Sequence, residues 1–139
     1  MDAHKTNLVV FISDVCNYSC EYCYNKFPRT GIFADLDLFD KFIDDVIKNS
    51  SGMIRDLVIL GGEPTLHPQF HEFCIKQVSK KIENVIVWTN FTKDIGFYLN
   101  LLESGVKLAI SWHGVEGGRK NLSFIKKALK IPDKYIRRG

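Results

Sequence analysis

The alternation of two kinds of segment constrains the fold of this chain more than any other feature. Short apolar segments that predict β-strands lie at residues 8–13, 56–60, 85–89 and 107–112. Each is followed by an amphipathic segment that predicts a helix, at residues 36–49, 70–81, 95–104 and 122–130. Strands that alternate with helices form parallel sheets with crossover helices. We therefore predict an α/β fold, a partial (β/α) barrel of about four parallel βα units.

Composition and length indicate one globular domain spanning residues 1–139. The chain has 45% hydrophobic residues, 25% charged residues and a net charge of +3. No secretory apolar region follows the first residues, and the apolar run at residues 8–12 is too short to span a bilayer. We therefore predict a cytoplasmic protein that does not bind a membrane. In that reducing compartment, clustered cysteines are more often metal ligands or redox groups than disulfides.

Chemically distinctive residues lie at the end of every predicted strand. Three cysteines follow the first strand, a Gly-Gly-Glu-Pro sequence follows the second, Thr89 and Asn90 end the third, and residues 111–114 end the fourth. The carboxyl ends of parallel strands meet at one edge of a sheet, where α/β enzymes keep their active sites. We therefore predict a single site formed by four segments.

The cysteines form a C-x3-C-x2-C array of Cys16, Cys20 and Cys23, with no fourth cysteine nearby. Cubic iron–sulfur clusters are usually held by four thiolates, so three ligands suggest an iron with a free coordination position. The alternative is a structural zinc site closed by Cys74 or a histidine. We expect Cys74 to be a core residue instead, because it shares the apolar stripe of its helix.

The cysteine array, with Tyr22 just before its third cysteine, and Gly61-Gly62-Glu63-Pro64 after the next strand together resemble the radical S-adenosylmethionine (SAM) enzymes. The resemblance covers residues 8–129. It implies a [4Fe–4S] cluster on the three cysteines, with SAM bound to the fourth iron and an external electron donor of the flavodoxin or ferredoxin type. It also implies reductive cleavage of SAM to a 5′-deoxyadenosyl radical, which abstracts hydrogen from an unidentified peptide, protein or small molecule.

The resemblance also implies which residues bind SAM. Gly61 and Gly62 let the backbone approach a ligand. The Glu63 carboxylate is expected to accept hydrogen bonds from the ammonium of SAM, and Pro64 restricts Glu63 to an extended conformation that aims it.

Further SAM contacts are expected from the other strand ends. Asn90 and Ser111 match polar positions that contact the ribose or the methionine carboxylate in this family. Tyr22 is expected to lie against the cluster, with neighbouring backbone toward adenine. His113, beside Ser111, is either a site residue or a turn residue.

The chain also departs from the family pattern. A complete barrel takes about 250 residues, so 139 residues hold roughly half of it. The fourth strand would then be an apolar edge, which natural proteins cover. We therefore expect one of three cases: part of a longer enzyme, a degenerate remnant, or a minimal form completed by a protein partner or by self-association. Phe91 stands where many relatives have glycine.

Two other functions remain open from the sequence. One is a non-catalytic iron–sulfur or zinc module, and the other is an activase that installs glycyl radicals in a large partner. Residues 126–138 are rich in lysine and arginine, and Tyr135 is the aromatic residue among them. Because no other aromatic residue is interleaved with these basic residues, we expect a solvated surface rather than a nucleic-acid partner.

Overall fold

The computed structural model describes residues 6–16, 31–50, 53–110 and 119–136. Within these residues, four strands and four helices alternate: β1 (Thr6–Phe11), α1 (Leu36–Asn49), β2 (Ile54–Leu60), α2 (Phe70–Val78), β3 (Ile82–Thr89), α3 (Ile95–Glu103), β4 (Lys107–Ile110) and α4 (Arg119–Ala128). Short 3₁₀ turns lie at Pro64–Leu66 and Asp133–Tyr135. The predicted α/β class with parallel βα units is confirmed.

The four strands form one parallel sheet in the order β1-β2-β3-β4. One row of the sheet runs through Val10, Ile59, Val87 and Leu108, which are paired from strand to strand. The first three of these side chains are buried in the hydrophobic core, together with apolar residues of α1, α2 and α3. Sequential strands that are neighbours in a parallel sheet bring all four carboxyl ends to one edge.

The opposite face of the sheet keeps apolar side chains in partial contact with solvent. Val9, Phe11 and Trp88 are each about half exposed. Phe11 is paired with Leu60, and Trp88 with Ala109, so these apolar groups lie near the carboxyl ends of the strands. Among the described residues, β4 is paired with β3 alone and forms an edge of the sheet.

Helix boundaries follow local signals in the sequence. The predicted bounds of α1 agree with the structure, and its first turn is capped by Asp35, whose carboxylate accepts a 3.0 Å hydrogen bond from Asp37 N. Gly105 ends α3 with a φ of +97°, as expected of glycine after a helix. The second helix is shorter than predicted, because β3 already begins at Ile82 and the chain must turn before it.

An ionic cluster around the buried Asp40 joins α1 to the end of α2. Asp40 is bonded to Lys80 at 2.6 Å and to Lys76 at 3.0 Å, and Gln77 donates a 2.8 Å hydrogen bond to it. Burial alone raises the pKa of Asp40, but the hydrogen bonds from Lys80, Gln77 and Lys76 outweigh burial and hold the pKa at about 2. The cluster therefore stabilises the packing of these two helices. In the described part of the chain, every helix is too short or too polar to cross a membrane.

Candidate active site

The end of β2 lies directly against the backbone that leads into the first cysteine. Gly62 N donates a 2.8 Å hydrogen bond to Ser13 O, and Glu63 N donates a 2.7 Å bond to Val15 O. A Cβ atom on Gly61 would lie 2.7 Å from Ser13 O, and one on Gly62 would lie 2.5 Å from Val15 O. Both positions therefore require glycine, because backbone atoms of the neighbouring segment occupy the space of a side chain.

The segment that carries the cysteines is tied together where it leaves and rejoins the sheet. Ala34 N donates to Ile12 O at 2.8 Å, and Gly31 N donates to the Asp14 carboxylate at 3.1 Å. The hydroxyl of Ser13 donates to Ile32 O at 3.2 Å and accepts a 2.9 Å bond from Val15 N. The two ends of the cysteine-bearing segment are thus held in place beside β2.

Cys16 directly follows Val15, whose carbonyl oxygen accepts the hydrogen bond from Glu63 N, and it is half-buried. Cys20, Cys23 and Tyr22 lie outside the described residues, as do Ser111 and His113. Their predicted roles stay predictions. Within residues 6–16, 31–50, 53–110 and 119–136, no three acidic, histidine or cysteine side chains are gathered as a metal site.

The Glu63 carboxylate is buried at the junction of β2 and β3, with 1% of the residue exposed. Oε1 accepts hydrogen bonds from Thr65 N at 3.3 Å, Thr65 Oγ1 at 2.6 Å and Thr89 Oγ1 at 2.6 Å. Oε2 accepts a 2.6 Å bond from Asn90 N. The sequence predicted the ammonium of SAM as the partner of this carboxylate, whereas these contacts are with the chain itself.

The backbone after Glu63 has the predicted extended geometry. Glu63 has φ −127° and ψ 103°, and Pro64 begins the 3₁₀ turn that follows. Extended geometry is expected of a residue before proline. With this geometry the Glu63 carboxylate reaches back to Thr65 N and caps the 3₁₀ turn.

The end of β3 forms the opposite side of the junction. Asn90 is buried, and its side-chain oxygen accepts a 2.8 Å hydrogen bond from Thr92 Oγ1. Phe91 N donates to Thr89 Oγ1 at 3.1 Å. Phe91 has a φ of +62°, a left-handed conformation that is costly for a residue with a side chain. Its ring is buried against Tyr98, with centroids 4.4 Å apart.

Two neighbouring groups complete the surroundings of the junction. Tyr98 is buried beneath it, and burial raises the pKa of its phenol, with the nearby Glu63 carboxylate adding to the rise. His67 is buried as well. Its Nε2 lies 2.8 Å from Ala34 O, and its Nδ1 accepts a 3.1 Å bond from Gln69 N. Only the fold brings residue 34 to His67, and no sequence pattern indicates that contact.

Cys74 is a core residue, as predicted. It is fully buried in α2, and burial raises the pKa of its thiol. A thiol enclosed by apolar side chains is a poor candidate for the fourth ligand of a structural zinc site.

Of the residues that the resemblance assigns to an iron–sulfur cluster, the structure describes Cys16, and the chemistry of the three-cysteine sequence suits such a cluster. The cysteine-rich donor set has the soft thiolates that iron–sulfur clusters require. The close approach of Gly61 and Gly62 to residues 13–15 sets the Gly-Gly-Glu-Pro sequence beside the first of those cysteines.

Comparisons with known proteins bear on the same conclusion. The sequence profile of the radical SAM superfamily matches residues 10–135. The chain is 33% identical over 104 residues to the S-adenosylmethionine-dependent nucleotide dehydratase of Selenomonas ruminantium, covering 74% of this chain and 30% of that protein. It is 25% identical over 138 residues to a probable GTP 3′,8-cyclase of Thermococcus kodakarensis, covering 90% of this chain and 44% of that protein.

Among solved structures, the fold is similar to that of BtrN in complex with AdoMet and 2-DOIA, with a TM-score of 0.74 and 20% sequence identity. The match covers 96% of this chain and 55% of that chain. At 20% sequence identity, this similarity is evidence for the fold alone. The chain spans less than half the length of both curated relatives.

Proposed function

The chain belongs to the radical SAM superfamily, and on that premise we propose that it forms the cofactor-binding part of an enzyme that cleaves SAM reductively. Held by the three cysteines, the cluster would supply one-electron reduction with an electron from an external donor. Its chemistry would be the reductive cleavage of SAM to a 5′-deoxyadenosyl radical that abstracts hydrogen from substrate. The observation that carries the proposal is the docking of Gly61–Glu63 on the backbone just before Cys16.

The chain's own residues have distinct tasks in this proposal. Cys16, Cys20 and Cys23 hold the cluster through three thiolates. The backbone of Gly61 and Gly62 lies beside the first of them and offers polar groups to the methionine part of SAM.

Residues outside that pair complete the proposed cofactor site. Asn90 and Ser111 contact the ribose or the methionine carboxylate, Tyr22 lies against the cluster, and His113 lies at the same edge. Pro64 supports the site by setting the extended conformation of Glu63. Among the described members of this set, Asn90 is supported by its burial at the end of β3, next to Glu63.

Substrate is proposed to lie against the sheet face opposite the helices, near the carboxyl ends of the strands. Phe11 and Trp88 expose about half of their area on that face. The names of both curated relatives describe enzymes that act on nucleotides, so nucleotides are the first substrates to test.

Two partners belong to the proposal. The electron donor is a flavodoxin- or ferredoxin-like protein in a reducing compartment such as the cytoplasm. The second is protein structure that covers β4, supplied by further chain, by a partner or by self-association. A groove of about 710 Å³ lies beside β4, lined by Leu108, Ile110, Ile131 and Tyr135 among others. An apolar strand edge of this kind is normally covered.

Anaerobic reconstitution with iron and sulfide tests the proposal. We expect a brown protein with about four irons, which releases 5′-deoxyadenosine when dithionite and SAM are added. Cys20→Ala should abolish the colour. A coloured protein that binds no SAM and releases no 5′-deoxyadenosine would support the non-catalytic cluster module instead. A colourless protein with one bound zinc would contradict both.

A further inference from the structure

The hydrogen bonds of Glu63 differ from those expected of a ligand-binding carboxylate. Each of its two oxygens accepts one backbone N–H: Thr65 N reaches Oε1 at 3.3 Å, and Asn90 N reaches Oε2 at 2.6 Å. Two hydroxyl groups add to this, with Thr65 Oγ1 and Thr89 Oγ1 both 2.6 Å from Oε1. The whole residue is 1% exposed.

This arrangement requires a carboxylate rather than a generic polar side chain. A hydroxyl can rotate and act as donor or acceptor, but a backbone N–H only donates. A glutamine at position 63 would have to turn its NH₂ group toward either Thr65 N or Asn90 N. In both orientations two donors would face each other in a buried site, and an unsatisfied buried donor is costly.

Glu63 also joins three strand ends through its own atoms. Its backbone N donates to Val15 O at 2.7 Å, next to Cys16. Its carboxylate accepts from Thr89 and Asn90 at the end of β3, while the residue itself follows β2. The cysteine-bearing segment and the Thr89–Asn90 turn are therefore held at a set separation by one residue.

We propose that Glu63 is a positioning residue whose buried carboxylate sets the geometry of the SAM site without contacting SAM. This inference rests on the proposed function. It differs from the sequence expectation in which the carboxylate accepts directly from the ammonium of SAM. Under the present assignment, the loss of any donor that orients the carboxylate should harm SAM binding, whether or not the ligand carries an amino group.

The test uses three variants of the reconstituted full chain. Glu63→Gln introduces the donor conflict. Thr89→Val removes, at nearly constant volume, the hydroxyl that donates to Glu63 and accepts from Phe91 N, and Thr89→Ser keeps that hydroxyl as the matched control. Each variant is measured for iron content and for the affinity of SAM. Affinity is also measured for the SAM analogue in which hydrogen replaces the amino group.

We expect Glu63→Gln and Thr89→Val each to retain the cluster and to weaken SAM binding roughly tenfold, while Thr89→Ser stays within about twofold of the parent. The loss in Glu63→Gln should be equal for SAM and for the analogue. The double variant Glu63→Gln/Thr89→Val should lose little more than Glu63→Gln alone, because both changes disrupt one network. Direct contact predicts instead that the Glu63→Gln loss disappears with the analogue and that Thr89→Val binds normally, and either result would overturn the inference.

Hydrogen exchange of the metal-free protein gives a readout that needs no SAM. The amide of Asn90 should exchange faster in Glu63→Gln than in the parent and at the parental rate in Thr89→Ser. Unchanged exchange at Asn90 would contradict the assignment even for a variant that loads its cluster poorly. A parent protein that binds neither cluster nor SAM would instead disprove the proposed function, which separates the two failures.

Discussion

Two buried carboxylates in this protein are stabilised in opposite ways. Asp40, between α1 and the end of α2, is paired with Lys80 and Lys76 at 2.6 and 3.0 Å. Glu63, at the edge of the sheet, has neutral hydrogen-bond donors: two hydroxyls and two backbone amides. Both residues are buried, so each carboxylate needs compensation for lost hydration.

The difference shows what each region contributes. Attraction between opposite charges falls slowly with distance, so the Asp40 cluster tolerates small movements while it stabilises helix packing. Hydrogen bonds from backbone amides are directional and short in range. The Glu63 network therefore specifies the positions of the three strand ends that it joins. One region mainly provides stability, and the other mainly provides geometry.

The largest effect is expected from Gly62→Ala, which adds a side chain next to Glu63 where the end of β2 packs against neighbouring backbone. The added Cβ would lie 2.5 Å from Val15 O and 2.7 Å from Asp14 O, so one strand end must move. We expect a loss of about 3 kcal/mol in the free energy of unfolding and poor cluster loading. Chemical denaturation and iron analysis measure the two effects.

Gly96→Ala is the matched control for that experiment. Gly96 lies in α3, and no atom from elsewhere in the described chain lies within 4 Å of the place that an added Cβ would take. Alanine is favoured over glycine in a helix, so this variant should be slightly more stable than the parent, by about 0.5 kcal/mol. If the two alanine variants behaved alike, the close approach at Gly62 would have no energetic significance.

A smaller effect is expected from acid, and it should come from the ionic region. The pKa of Asp40 is about 2 in the folded protein and 3.8 as its ordinary value. A depressed carboxyl pKa stabilises the fold above the ordinary value, and this stabilisation is lost as pH falls through the folded value. Between about pH 5 and pH 2 we therefore expect Asp40 to account for a loss of about 2 kcal/mol.

Denaturation curves at several pH values, for the parent and for Asp40→Asn, separate this contribution from that of other carboxyl groups. The variant should be less stable at neutral pH, because Lys80 loses its buried partner. Its stability should also depend less on pH in the acidic range. If the stability of the two proteins depended equally on pH in the acidic range, Asp40 would not be a source of that dependence.

The smallest effect is expected from Cys74→Ala. Cys74 belongs to the core beneath α2 rather than to either carboxylate region. We expect unchanged iron content and a loss of about 1 kcal/mol in unfolding free energy. Because burial raises the pKa of this thiol, it should also resist alkylation in the folded parent. A fall in bound metal in this variant would revive the four-ligand zinc site.

Much of the fold was predictable because its signals are local. Apolar residues at helical spacing defined α1 to the residue. The parallel sheet followed from the alternation of strands and helices, and the shared edge followed from the parallel sheet. The burial of Cys74 followed from its place on an apolar helix stripe. The start of β3 was missed by three residues, since Ile82-Glu83-Asn84 lacks a clear apolar run.

The contacts at the strand ends were less predictable because they join residues that are distant in the chain. The sequence predicted that the backbone at Gly61 and Gly62 would be closely approached by a ligand. In the structure, the close neighbour is the backbone of residues 13–15. Phe91 was recognised as unusual in its position. Its positive φ and the packing of its ring on Tyr98 depended on the fold.

The sequence by itself determined the order of strands and helices and the clustering of three thiols after the first strand, because spacing along the chain sets both. Only the tertiary structure decided the long-range partners of Glu63. Its donors at Thr89 and Asn90 lie 26 and 27 residues away in the chain. They reach it because parallel pairing aligns the ends of β2 and β3, and burial then requires the carboxylate to take every donor that this alignment provides.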